Sequence, residues 1–168
     1  MGRPGPLTTD WPAGSEVVLR PATSADRALL LEWRNDQDVV RYSLSGRPVA
    51  AAEHANWLTA RLAEPAPRLW IAEEAGEPVG QVRVDLEDET GTVSISVAPA
   101  HRGRGVGSRM LWALVIEMEA DAAVRSLLAL VHGENTASLR SFERAGFSDT
   151  GRQRRGFVVL ERSVEAKR

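Results

Sequence analysis

The stretch "HRGRGVGSRM", residues 101–110, holds glycines at 103, 105 and 107, with arginines at 102, 104 and 109 around them. The alternating run "TVSISVA" precedes it, and a helical apolar period begins inside it. A strand, a glycine-rich turn and a helix in that order make an anion site. The first turn of a helix has unbonded N–H groups and a partial positive charge. Glycine lets those amides approach a phosphate with no Cβ in the way. Spacing then selects among anions. A dinucleotide fingerprint needs G-x-G-x-x-G, whereas this loop reads G-x-G-x-G followed by Ser108; a Walker loop needs a lysine, and the loop has none. What remains is a cradle for a pyrophosphate-sized anion, with Arg102, Arg104 and Arg109 supplying charge.

Groups able to move protons are few. There are no cysteines, which excludes thiolate metal sites, disulfides and a cysteine nucleophile. His54 stands one helical turn from Trp57 in "EHANWL" and is a candidate base; the same spacing suits a helical histidine packed on an aromatic ring. Tyr42 is the only tyrosine, and Asp85 and Glu87 lie in the acidic cluster "DLEDE". Of 21 basic residues only Lys167 is lysine, so an arginine by itself says little.

The elements that must position these groups alternate between two periods. "EVVLRPA" reads as a strand stopped by Pro21, and "TSADRALLLEWRND" as a helix capped at Ser24. A polar stretch with Tyr42 and Gly46 follows, then a helix led by Pro48 with the stripe Ala51, Ala55, Leu58 and Leu62. "RLWIAEE" and "PVGQVRVDL" flank a turn and form a hairpin. In "TVSISVA", Val93, Ile95 and Val97 share one face. The helix after the glycine loop carries Val106, Met110, Leu114 and Met118. "SLLALVH" is a buried strand, "NTASLRSFERAG" a helix with Asn135 or Thr136 at its cap and Gly146 at its stop, and "FVVLER" a final strand. The result is an α/β (α+β) chain around a largely antiparallel sheet. Its 168 residues suit one domain, residues 15–168, behind a flexible tail at 1–14. Hydrophobic residues are 43 % and charged residues 26 %, as in ordinary globular proteins. Net charge is −2, which argues against nucleic-acid and membrane-surface partners. No apolar run reaches a bilayer-spanning length, so a cytoplasmic protein is expected.

"VAPAHRGRGVGSRML" resembles the acetyl-CoA pyrophosphate loop of the GNAT superfamily of N-acetyltransferases, Q/R-x-x-G-x-G/A, through Arg102, Gly105 and Gly107. "NTASLRSFERAGF" is similar to the family segment N-x-x-[AS]-x-x-x-[YF]-x-x-x-G-F through Asn135, Ser138, Phe142, Gly146 and Phe147. The resemblance covers about residues 16–162. It implies the GNAT fold: a mixed, mostly antiparallel sheet of six to seven strands flanked by about four helices. It implies acetyl-CoA as cosubstrate and no metal. The backbone of Arg102, Gly103, Arg104, Gly105, Val106, Gly107 and Ser108 would hold the pyrophosphate. The strand holding Val97 would splay from the next strand and pair with the pantetheine arm. Asn135, Ser138 and Phe142 would contact the cofactor, although Asn135 is also a plain cap residue.

Many members place a tyrosine, as acid for the leaving thiolate, where this chain has Phe142; phenylalanine donates no proton. Water, Ser138, Ser141 or Tyr42 remain as donors, and His54, Glu87 and Asp85 as bases. On the acceptor side, "LEWRND" and "EHANWL" resemble members that acetylate a nucleotide-linked amino sugar. That resemblance places Trp33, Arg34, Asn35, His54 and Trp57 around the acceptor. Ribosomal-protein N-terminal acetyltransferases share a "WRND"-like segment, so a protein or peptide N-terminus is the alternative. An aminoglycoside acceptor would want a dense acidic cleft, and "DLEDE" reads better as a solvated turn. A non-catalytic acyl-CoA sensor stays open because of Phe142. A homodimer is common in the superfamily, and no pattern here fixes the oligomeric state.

Overall fold

The structure, a computed structural model, describes residues 16–165; the tail expected at 1–14 lies outside them. Seven strands and five α-helices alternate along the chain. In order they are β1 (Val17–Pro21), α1 (Arg27–Arg34), α2 (Gln37–Tyr42), α3 (Ala51–Leu62), β2 (Leu69–Glu74), β3 (Glu77–Glu87), β4 (Thr90–Val97), α4 (Val106–Ala120), β5 (Ser126–His132), α5 (Thr136–Arg144), β6 (Ser148–Arg154) and β7 (Phe157–Ser163). The sheet order is β1-β2-β3-β4-β5-β7-β6. Every neighbouring pair is antiparallel except β4 and β5, which are parallel.

Alternation along the strands sends side chains to two cores. One face buries Val82 and Val84 of β3, Val93 of β4 and Leu127 and Ala129 of β5 against Met110, Leu114 and Met118 of α4 and Phe142 of α5. The other packs Leu69 and Ile71 of β2 against Leu30 and Trp33 of α1 and Leu58 of α3. Ile95 and Val97 pack on the first core, so Ser94 and Ser96 face the α1/α3 side.

Three local expectations change. The cap before α1 is Thr23, not Ser24: Thr23 and Asp26 form a reciprocal capping box around a short 3-10 turn. The helix α2 interrupts what reads as a polar stretch; Asp36 caps it by accepting from the amides of Asp38 and Val39. The buried face of α3 runs through His54, Leu58 and Arg61 rather than Ala51 and Ala55. Of the inward polar groups, Arg61 pairs with Asp85 of β3.

Candidate active site

The parallel pair β4–β5 is bonded only from Thr90–Ser126 to Val93–Ala129. Beyond that point β4 stays on β3 as far as Val97, and β5 stays on β7 as far as His132. The two strands therefore part into a wedge-shaped opening whose vertex is the Val93–Ala129 pair. The amide of Ala98 donates to Val79 of β3 at 2.8 Å. By strand alternation, the main-chain groups of Ile95 and Val97 then face the opening. An extended ligand can pair with them as an added strand would.

The glycine loop stands at the mouth of this opening. Gly103 (φ 78°) and Gly105 (φ 72°) take the left-handed conformation, and Gly105 caps α4 without a side-chain bond. Among the described residues, no carbonyl or side chain accepts from the six successive amides of 103–108; the next amide, of Arg109, donates to Gly105 O at 3.3 Å. The first amides of a helix have no intrahelical partner, and here those of Val106, Gly107 and Ser108 belong to buried residues. A row of six at a helix start is a nest for an anion. Gly107 sits where α4, β4 and α5 converge: a Cβ there would lie 3.2 Å from Ser141 Oγ and 3.5 Å from Val97 Cγ2. The loop and opening together fit the diphosphate and extended arm of coenzyme A.

The arginines of the loop act otherwise than the sequence implies. Arg102 donates to Asp36 at 2.6 Å, to Asp38 at 3.2 Å and to Val97 O at 3.2 Å. Buried Arg109 pairs with Glu74 and donates to Arg104 O at 3.3 Å, and this pairing holds the Glu74 carboxyl below its usual range. Only Arg104 stays half-exposed, 3.4 Å from Glu74. Charge at the cradle thus comes chiefly from the amides, with two guanidinium groups bracing the loop.

The other residues expected at the cofactor lie on or beside α5. Asn135 is the α5 cap, its Oδ1 accepting from the Ser138 amide at 3.2 Å. Phe142 is buried edge-on against Phe147, with ring centroids 5.0 Å apart.

On the acceptor side, Arg34, His54, Trp57 and Arg83 gather by the vertex. Arg83 is the register partner of Ser94, the first β4 residue past the vertex. Its guanidinium lies 5.5 Å from the Trp57 ring centre, and that ring is 5.4 Å from His54. His54 is only 4 % exposed, and its Nδ1 is buried without a partner. Burial, and then the charge of Arg34, lower its pKa and keep the ring neutral near pH 7. Trp33 instead joins the core, and Asn35 clamps Val49 through two bonds of 2.9 and 2.7 Å. Glu87 lies at the β3–β4 turn, opposite Thr90 and away from the open end. Asp85 is held by Arg61 and Arg83. Tyr42 closes the far side, its ring 5.4 Å from His132 at the tip of β5. Arg83 carries no signal in sequence; the packing of α3 on the sheet brings Trp57 over it.

A wedge between parallel strands, with a ring of free amides at its mouth, defines an acyl-CoA-using transferase. The chain matches the model of the acetyltransferase (GNAT) domain over residues 16–148 and belongs to that family. It is an acetyl-CoA-dependent N-acetyltransferase. It is 29 % identical over 155 residues to the aminoglycoside N(6')-acetyltransferase type 1 of Klebsiella pneumoniae, spanning 83 % of this chain and 77 % of that one. It is 34 % identical over 95 residues to the L-2,4-diaminobutyric acid acetyltransferase of Streptomyces anulatus, spanning 54 % and 50 %. The spermidine N-acetyltransferase of Vibrio cholerae, solved with CoA and spermine, shares the fold: TM-score 0.77, 17 % identity, 89 % and 96 % coverage. Among the described residues no helix is long and apolar enough to cross a membrane, and no His, Asp and Glu cluster could hold a metal ion.

Proposed function

We propose that the chain acetylates the primary amine of a small molecule by direct transfer in a ternary complex, with His54 as the proton acceptor. Bound acetyl-CoA supplies the acyl group as a reactive thioester. The amides of 103–108 hold its diphosphate, and the Ile95 and Val97 main chain orients its arm toward the vertex. The observation that carries the reading is the buried, unpartnered Nδ1 of a neutral His54 whose ring lies 5.4 Å from Trp57, which in turn faces Arg83. An ammonium cannot attack a carbonyl. An amine of pKa about 10.4 is neutral in only about one molecule in 2,500 at pH 7, against about one in ten for a pKa near 8. A neutral imidazole in reach of the amine removes that proton as the bond forms. Phe142 cannot return a proton to the leaving thiolate, which leaves Ser94, Ser96, Ser141, Tyr42 or water as donors.

The acceptor proposed from the "LEWRND" and "EHANWL" segments is a nucleotide-linked amino sugar, whose sugar or base would lie on Trp57. The names of the relatives, which range from aminoglycosides to L-2,4-diaminobutyric acid, support a small-molecule acceptor over a peptide N-terminus. Thiol release from acetyl-CoA across an amine panel tests this. The panel holds nucleotide-linked amino sugars, amino acids, polyamines, aminoglycosides and peptides with free N-termini. Turnover of a small molecule, lost about 100-fold or more in His54→Gln, is expected. Turnover confined to peptides would move the acceptor class, and coenzyme A binding with no turnover would make the domain a sensor.

A further inference from the structure

We propose that Arg34 is the anion-binding residue of the acceptor pocket, and that the amine substrate carries a carboxylate or phosphate which Arg34 engages while its amine faces His54. This rests on the acceptor pocket placed above at His54. Arg34 donates through Nη2 to Ser45 Oγ at 3.1 Å and to Arg47 O at 3.4 Å, while its Nη1 is buried with no partner. Burial lowers its pKa, and the neighbouring charges of Arg83 and Arg47 push the same way. The one carboxylate that acts on it, Glu53, is already paired with Arg47 at 3.3 Å. Every other described arginine either has a carboxylate partner or is exposed.

A desolvated guanidinium with an idle donor is costly to keep buried. A planar anion from the substrate restores the missing bond and the missing charge together. The surroundings leave it little competition. Asp85 is occupied by Arg61 and Arg83. The acidic turn with Glu87, Asp88 and Glu89 is exposed at the closed end of the sheet, where Glu89 lies 3.7 Å from Arg125. The pocket is therefore cationic, and a polycation with no anion is its poorest ligand. An anion at Arg34 also cancels the charge that helps to keep His54 neutral. Binding of the right substrate thus strengthens His54 as a base.

The test compares acceptors that differ only in the anion: amino acids against their methyl esters, and nucleotide-linked amino sugars against the free sugars, with kanamycin and spermidine as polycations. The anionic member should lead by about 10- to 100-fold in kcat/KM. That preference should collapse in Arg34→Gln, with acetyl-CoA affinity unchanged. Whichever pair responds identifies carboxylate or phosphate as the source. A second readout needs no turnover. With coenzyme A filling the glycine loop, inorganic phosphate should raise the His54 titration midpoint by imidazole NMR in the native protein and not in Arg34→Gln. Should the glutamine variant not fold, Arg34→Lys keeps the charge but loses the planar fork, and should weaken the preference. Equal preference in native and variant protein, best turnover of polycations, or no phosphate response would overturn the proposal. A phosphate response with every amine silent would leave Arg34 standing and overturn the transferase reading instead.

Discussion

His54 carries the sharpest consequence of burial. Its pKa is lowered, first by desolvation and then by Arg34, so the ring binds its proton only below the ordinary histidine value of about 6.5. Two effects follow with the same sign. The acid limb of kcat/KM, which reports the free enzyme, should lie below pH 6.5 and vanish in His54→Gln. As pH falls from about 6.5 toward the lowered value, the unfolded chain takes up a proton that the folded one refuses, so stability should fall in that window. The pH profile of kcat/KM in native protein and His54→Gln checks the first, and denaturation at several pH values the second. His54 was legible beside Trp57, but its neighbours were not. The apolar stripe of α3 pointed to Ala51 and Ala55, whereas the helix buries His54, Leu58 and Arg61, the last paired with Asp85. Asn35 and Trp33 stand out in sequence for the same reason that they are useful to the fold: one latches Val49 and the other fills the core.

The loop and helix α4 were the most legible element, because three alternating glycines before a strong apolar period leave few structural readings. The left-handed φ at Gly103 and Gly105 and the six free amides are what that spacing encodes. Gly107→Glu brings a Cβ to 3.2 Å from Ser141 Oγ, a tight contact that rotation of the serine side chain has to relieve, so folding of the variant is checked first by circular dichroism. Its carboxylate would face the diphosphate, and acetyl-CoA affinity should fall about 100-fold or more by calorimetry. Unchanged affinity in the folded variant would remove the loop from the cofactor site. Gly146 serves a different end. It closes α5 at φ 84°, with its amide on Glu143 O and that of Phe147 on Phe142 O. Gly146→Ala should cost about 2 kcal/mol in urea denaturation. It imposes a left-handed alanine and displaces Arg162 from Ala145 O, where Nη1 donates at 2.9 Å. Helix α2 was hidden because six residues give no stripe. What fixes it is distant: Arg102 holds its start, and His132 receives Tyr42 at its end.

The sheet as a whole carries a seam at its only parallel pair. Four register pairs join β4 to β5, against eight between β3 and β4 and seven between β5 and β7. Sequence patterning predicts every strand but β6, whose polar run SDTGRQR carries no apolar alternation, and it does not say where two strands part, because the splay depends on pairing partners far apart in the chain. The seam leaves main-chain groups of Ile95 and Val97 without strand partners, a cost that a bound extended arm can offset, whereas Ser96 pairs with Gln81 of β3. Hydrogen exchange should therefore slow at Ile95 and Val97 when coenzyme A is added, while amides within the paired stretch of 90–93 change little. Ligand at about 100 times its Kd adds about 2.7 kcal/mol of stability, so the melting temperature should rise in parallel. Protection spread evenly over β4 would mean that the ligand stiffens the domain without entering the seam. Protection at Ile95 and Val97 that disappears in Gly107→Glu would tie the loop and the seam to one ligand, because the substitution touches the loop and leaves the edge of β4 intact.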